Sequence, residues 1–190
     1  MGKLNVKQNE KALEGYLVAA ARTGDRNALA RLVRFRGPRL MAHAVRLLGD
    51  VEGARDVVQD AWIEVMRGLG GLRDTGAFLP WALRIVTRRV ARVIKGRQRD
   101  RSLAAQYVQE VDMEVAEGGP AAVDGARVRA ALEHLSRDQA ATVALFYLAD
   151  MNVSEVAVAM DVPAGTVKTR LMHARSKLRE ILERKTNGKA

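Results

Sequence analysis

The sequence contains no cysteine, which excludes disulfide staples and thiolate metal sites. Histidine is scarce: His43, His134 and His173 stand far apart, without the spacing of metal ligands. Strand signals are nearly missing too, for no Asn-Gly or Asp-Gly pair sits between two alternating β-branched runs. No apolar run approaches the roughly 20 residues of a membrane span, so no membrane insertion is expected. The opening MGKLNVKQNEK lacks the apolar core of a signal peptide. There is no phosphate-binding glycine loop, no metal-ligand cluster and no Ser/His/Asp set whose spacing invites a triad. These absences lead to the expectation of a cytoplasmic, all-α protein that is not an enzyme and uses no cofactor.

What is present is positive charge on a helical framework. The chain has 190 residues, 48% of them apolar, and a formal net charge of +10. That length allows one ordinary domain or two small ones. Excess positive charge of this size fits a polyanionic partner, either nucleic acid or an anionic membrane surface. Helical periodicity recurs over two blocks. The reading is an N-terminal tail over 1–12, a first helical domain over 13–104, a linker over 105–125, a second helical domain over 126–184 and a tail over 185–190. The linker holds Glu110, Asp112, Glu114, Glu117 and Asp124, no Lys or Arg, and the breaker Gly118-Gly119-Pro120. An acidic, weakly periodic stretch of this kind in a basic protein reads as a flexible tether.

Three predicted helices carry the chemistry. Over 54–67, Ala54, Val57, Val58, Ala61, Trp62, Val65 and Met66 form one apolar stripe. The opposite face carries Asp56, Gln59, Asp60 and Arg67, with Ile63 among them. Charges alone would fit a solvated face; an isoleucine within them points to a protein contact. Over 78–95, Arg84, Arg88, Arg92 and Lys95 stack along one side, and no acidic residue lies between Phe78 and Arg99. Like charges at this spacing repel, while a phosphate backbone would neutralise them with release of counterions. Plain solubility is the alternative. The apolar arc of Phe78, Trp81, Ala82, Ile85 and Val86 fits the core of a multi-helix domain better than a membrane surface.

The third site runs from Asn152 to Arg179. Asn152 with Glu155 three residues on has capping-box form. A short helix to Met160 is followed by the turn Asp161-Val162-Pro163-Ala164-Gly165, whose Asp and Gly tolerate positive φ. The next helix is expected to bury Val167, Leu171, Ala174, Leu178 and Ile181 or Leu182, and to display Lys168, Thr169, Met172, His173, Ser176 and Arg179. Helix, tight turn and a longer helix with a basic N-terminal face is the helix-turn-helix plan. An ordinary helical hairpin has the same periodicity.

These residues resemble region 4 of the extracytoplasmic-function sigma factors, through Leu135-Ser136-Arg137-Asp138-Gln139 and the run Val162-Pro163-Ala164-Gly165-Thr166-Val167-Lys168-Thr169-Arg170-Leu171 to Ala174-Arg175. The first block resembles the family's region 2 through Gly24-Asp25, Leu48-Gly49-Asp50, the segment Asp56 to Trp62 and the segment Phe78 to Ile85. The resemblance implies a region 2 bundle and a region 4 helix-turn-helix that bind core RNA polymerase and promoter DNA. In the family, the helix of Asp56, Gln59, Asp60 and Ile63 docks on the clamp helices of the polymerase's largest subunit. The next helix would recognise and melt the −10 element through Trp81, Arg84, Arg88, Arg89, Arg92 and Lys95. The helix-turn-helix would read the −35 element with Lys168, Thr169, Met172 and His173, supported by Thr166, Arg170 and Arg175. An anti-sigma factor is a further implied partner.

The chain departs from the family pattern at five places. Arg88 stands where Asn is common, and Arg92-Val93 replaces a segment with Asp. Asp150 and Asp161 occupy positions usual for glycine, and His173 one usual for Arg. Two rival readings remain at this point. A free-standing helix-turn-helix regulator would leave the first two helices unexplained, and a degenerate sigma-like decoy or blocker would bind polymerase without initiating transcription.

Overall fold

The protein was analysed as a computed structural model, which describes the backbone of residues 2–104 and 134–187 and the side chains of 8–99 and 134–181. The expected acidic linker and the start of the second block lie outside the described residues. The described residues form seven α-helices: α1 (Gly2–Arg22), α2 (Arg26–Leu48), α3 (Val51–Gly68), α4 (Phe78–Ala104), α5 (Arg137–Val143), α6 (Val153–Met160) and α7 (Ala164–Asn187). A π turn, Ala144–Leu148, extends α5. Among the described residues there is no strand, and no helix is long and apolar enough to cross a membrane.

Most boundaries are set by short polar side chains that satisfy orphan helix amides. Asp25 accepts from the amides of Asn27 and Ala28 ahead of α2, and Asp50 accepts from Glu52 ahead of α3. Capping boxes open α5 (Ser136 with Gln139) and α6 (Asn152 with Glu155). The turn after α6 takes its positive φ at Asp161 (φ 54°), the C-cap, and Asp150 adopts a similar conformation before α6.

Two expectations are corrected. Residues 2–12 are helix, continuous with the rest of α1, instead of a tail. Ion pairs hold this polar segment: Glu10 accepts from Arg36 and Arg39, and Glu14 accepts from the Arg36 Nε. Met66, placed on the apolar stripe of α3, is 47% exposed, because the buried line runs on through Val65 to Leu69 and leaves Met66 at its edge. The other stripe residues, Ala54, Val57, Val58, Ala61, Trp62 and Val65, are buried as expected.

The core of the first block is built around Phe78, flanked by Trp62 and Trp81 at ring-centroid distances of 6.4 and 6.0 Å. Leu17, Leu32, Leu40, Val65, Leu83 and Val86 close it. Glu14 and Arg36 form an ion pair inside it, at 2% and 3% exposure. Burial raises the Glu14 pKa and Arg36 opposes the shift. A charge stripped of its partner at this depth is costly, on the order of 3–5 kcal/mol, so the pair fixes α1 on α2.

Whereas the sequence left the placing of the two blocks open, they pack into one continuous core. α6 lies along α4, and α5 meets the C-terminal end of α2. Arg137 Nη1 donates to the Leu48 carbonyl at 2.7 Å, and its guanidinium covers Gly49, where a Cβ would come within 2.5 Å of it. Gly49 is also left-handed (φ 74°), so two constraints favour glycine at the α2 terminus.

Candidate nucleic-acid and polymerase interface

α3 presents Asp56, Gln59 and Asp60 to solvent, with Ile63 half-buried beside them. Their exposure follows from the burial of the opposite stripe, since 3.6 residues per turn put the two sets on opposite sides of the helix. Asp60 accepts from Arg89 Nη1 at 2.8 Å, and Glu64 accepts from Arg89 Nε at 3.0 Å, so Arg89 clips α4 to α3. Asp50 holds Arg97 at 2.8 Å, and that bond keeps the Asp50 pKa below its usual value.

The basic row of α4 divides in two. Arg92 and Lys95 are exposed and have no ion-pair partner among the described residues. Arg84 Nε and Arg88 Nε each donate to one oxygen of Asp161, both at 2.8 Å. The Asp161 pKa lies below its usual value chiefly through the Arg88 bond and next through that of Arg84. Trp81 is partly buried against Phe78. The run without acids in the sequence is therefore supplied with them by the fold, from α3, the α2–α3 junction and the second block.

Beneath this face lies a buried polar relay. Thr87 Oγ1 donates to the Ala159 carbonyl of α6 at 2.6 Å, and His43 Nε2 of α2 lies 2.9 Å from the same hydroxyl. With the hydroxyl proton directed to Ala159, the imidazole is neutral with its proton on Nε2. Nδ1 has no partner. Burial, helped by Arg46, pushes the His43 pKa down to about 3.

The α6–α7 pair has the expected helix-turn-helix arrangement. Val167, Leu171 and Ala174 are buried, while Leu178 and Ile181 are half-buried. Lys168, Thr169, Met172, His173 and Arg175 are exposed, and Thr166 is half-exposed at the start of α7. Met172 leaves 56% of its surface in water among these polar neighbours. Arg175 Nε donates to the Tyr147 hydroxyl at 2.7 Å, and its guanidinium lies 5.7 Å from the tyrosine ring centroid. Arg170 is turned inward to Asp138, with 22% of its side chain exposed, so its charge sits at the α5–α7 junction.

Sequence reasoning missed Asp161, Glu64, Thr87, Tyr147 and Asp138 as partners of the basic residues. The Asp161 pairs span 77 and 73 residues, and no local pattern signals such a contact. The Ser136–Gln139 cap was findable from its Ser-x-x-Gln spacing.

Comparison with known proteins places this arrangement. Residues 32–100 match sigma-70 region 2, and residues 125–178 match sigma-70 region 4. The RNA polymerase sigma-H factor of Pseudomonas aeruginosa is 28% identical over 183 residues, spanning 88% of this chain and 92% of that protein. The extracytoplasmic-function RNA polymerase sigma factor SigM of Mycobacterium tuberculosis H37Rv is 30% identical over 170 residues, covering 89% and 84% respectively. Similar folds occur in two solved complexes. The sigma factor RpoE bound to the anti-sigma factor NepR, from Bartonella quintana, has a TM-score of 0.63 at 22% identity over 81% of this chain and 96% of that one. CnrH bound to the cytosolic domain of CnrY has a TM-score of 0.62 at 23% identity over 90% and 97%. Two modules of one family, matched in order and joined in one relative of 30% identity, leave the free-standing regulator without support: the chain belongs to the extracytoplasmic-function sigma factors of the sigma-70 family.

Proposed function

We propose a division of labour among the three helices of this alternative sigma factor, which directs RNA polymerase to its promoters. The exposed face of α3, with Asp56, Gln59, Asp60 and Ile63, docks on the clamp helices of the polymerase's largest subunit. Trp81 and the basic residues Arg84, Arg88, Arg89, Arg92 and Lys95 of α4 hold the separated strand at the −10 element, where unstacking a base costs a few kcal/mol that backbone contacts offset. Lys168, Thr169, Met172 and His173 read −35 base edges, and Met172 suits a thymine methyl. Thr166 and Arg175 flank them at the phosphates. Arg170 joins them if its pair with Asp138 opens.

The observation that carries this reading is the bare N-terminal face of α7, a set of polar side chains and one methionine held out in water by a fully packed opposite face. Nucleotide addition belongs to the polymerase, and the sigma factor itself performs no covalent chemistry. Its place of action is the cytoplasm, where polymerase and chromosome meet. An anti-sigma factor is the proposed inhibitor.

The test is assembly with purified bacterial core RNA polymerase, followed by run-off transcription on a pool of genomic promoters. One-to-one assembly with initiation at a shared promoter class is the expected result. Assembly without initiation would instead make the chain a blocker, and failure of the folded protein to assemble would refute the docking role.

A further inference from the structure

We infer that Asp161 is an internal competitor for promoter DNA, a latch by which the helix-turn-helix of the free factor covers the −10 face of α4. This rests on the proposed role of α4. The carboxylate takes the Nε edges of both Arg84 and Arg88 at 2.8 Å. A promoter phosphate approaching those guanidiniums meets an anion already in place and α6 lying along α4. The contact is not isolated. Thr87 donates to the Ala159 carbonyl two residues before Asp161, Lys11 pairs with Glu155 at the other end of α6, and Arg137 binds the Leu48 carbonyl. Contacts from α4 and α1 thus place α6 in one register, the α5–α2 bond holds the same region beside it, and the latch carboxylate sits at the C-terminal end of α6.

The latch is built to release. The Arg84 and Arg88 side chains are 41% and 51% exposed and Asp161 is 32% exposed, so solvent and salt weaken the pairs. Polymerase and promoter contacts then suffice to separate the regions. The side chain at 161 is also tied to its backbone. At φ 54° and ψ 46° the residue is left-handed, which glycine adopts with least strain and asparagine tolerates. Substituting either residue removes the charge without harming the turn.

Because the chain has no cysteine, spin labels at Arg34→Cys and Lys177→Cys report one distance between the two regions of the full-length protein. The parent pair is expected to give a narrow distribution, and Asp161→Asn and Asp161→Gly a longer and broader one. Mixed-sequence single-stranded DNA should bind both variants about three- to tenfold tighter at low salt, the scale of exposed ion pairs, with the gap closing as salt rises. Thermal melting should show Asp161→Gly at least as stable as the parent in its helix-turn-helix. Unchanged distances in both variants would overturn the latch, and changed distances with unchanged DNA affinity would overturn its competition with DNA. Assembly of the unlabelled parent with core polymerase is measured in parallel. If assembly fails while the distances shift, the sigma-subunit role is lost and the contact stands; if it succeeds while the distances stay fixed, the reverse holds.

Discussion

α4 and α7 are the two basic helices proposed to meet DNA, yet the fold treats them oppositely. The row on α4 is half neutralised, with Arg84 and Arg88 on Asp161 and Arg89 on Asp60 and Glu64. On α7, Lys168, Thr169, Met172 and His173 face water. A sequence run of unpaired cations is therefore not a free phosphate surface until the acids brought near it by the fold have been counted. On the proposed roles, the duplex-reading helix is open in this structure and the strand-holding helix is occupied. That order suits a protein that should grip melted DNA only inside the polymerase.

The sharpest test of the bare face is Lys168→Ala with Thr169→Ala. Loss of a bidentate base contact is worth about 1–3 kcal/mol, so discrimination among −35 sequences by the holoenzyme should fall roughly five- to 150-fold. Competition transcription on −35 variants measures it. Unaltered discrimination would remove these residues from base reading.

Acid should weaken the fold through His43, which sits beneath the covered helix α4 against Thr87. Its folded pKa, about 3, lies below the ordinary value, so the unfolded state binds the proton more tightly. Its stabilising contribution is therefore fully present above the unfolded pKa of about 6.5. As pH falls from there toward 3, stability should drop by about 1.4 kcal/mol per unit, close to 2 kcal/mol at pH 5. Denaturant titrations at pH 7.5 and 5 measure this, and His43→Gln should flatten the dependence. A slope that survives the substitution would assign it to other groups.

Much of this comparison was legible in the sequence, and the rest was not for physical reasons. The stripe of α3, the Asn152–Glu155 cap, the turn at Asp161 and the buried face of α7 all follow from local spacing. The early start of α1 does not, because residues 2–11 lack an apolar stripe and are held by Glu10 and Glu14 on Arg36, more than twenty residues away. The family resemblance marked Asp161 as a departure from glycine. Only the fold shows that the departure supplies a carboxylate to α4.

Gly49 tests whether the docking of the two regions depends on backbone as well as charge. In Gly49→Ala, the new methyl must adopt a left-handed conformation at a cost of about 1–2 kcal/mol, and it must displace Arg137 from the α2 terminus. The melting temperature should fall and the two labelled regions should move apart. A stability loss with no change in distance would show that Arg137 does not hold the regions together.

The smallest effect is the most diagnostic. Arg84→Gln with Arg88→Gln removes two exposed ion pairs, each worth about 0.2–1 kcal/mol, so the free factor should loosen as it does in Asp161→Asn. DNA affinity should move the other way. Asp161→Asn leaves both guanidiniums available and tightens binding to single strands, whereas the arginine pair loses two phosphate contacts. The slope of log affinity against log salt should therefore shrink by roughly 1.4, about 0.7 per neutralised phosphate on a single strand. Anisotropy titrations of mixed-sequence single-stranded DNA at three salt concentrations measure that slope for each variant. Equal slopes in the parent and the double variant would mean that Arg84 and Arg88 serve only the closed form, leaving the strand to Arg92 and Lys95.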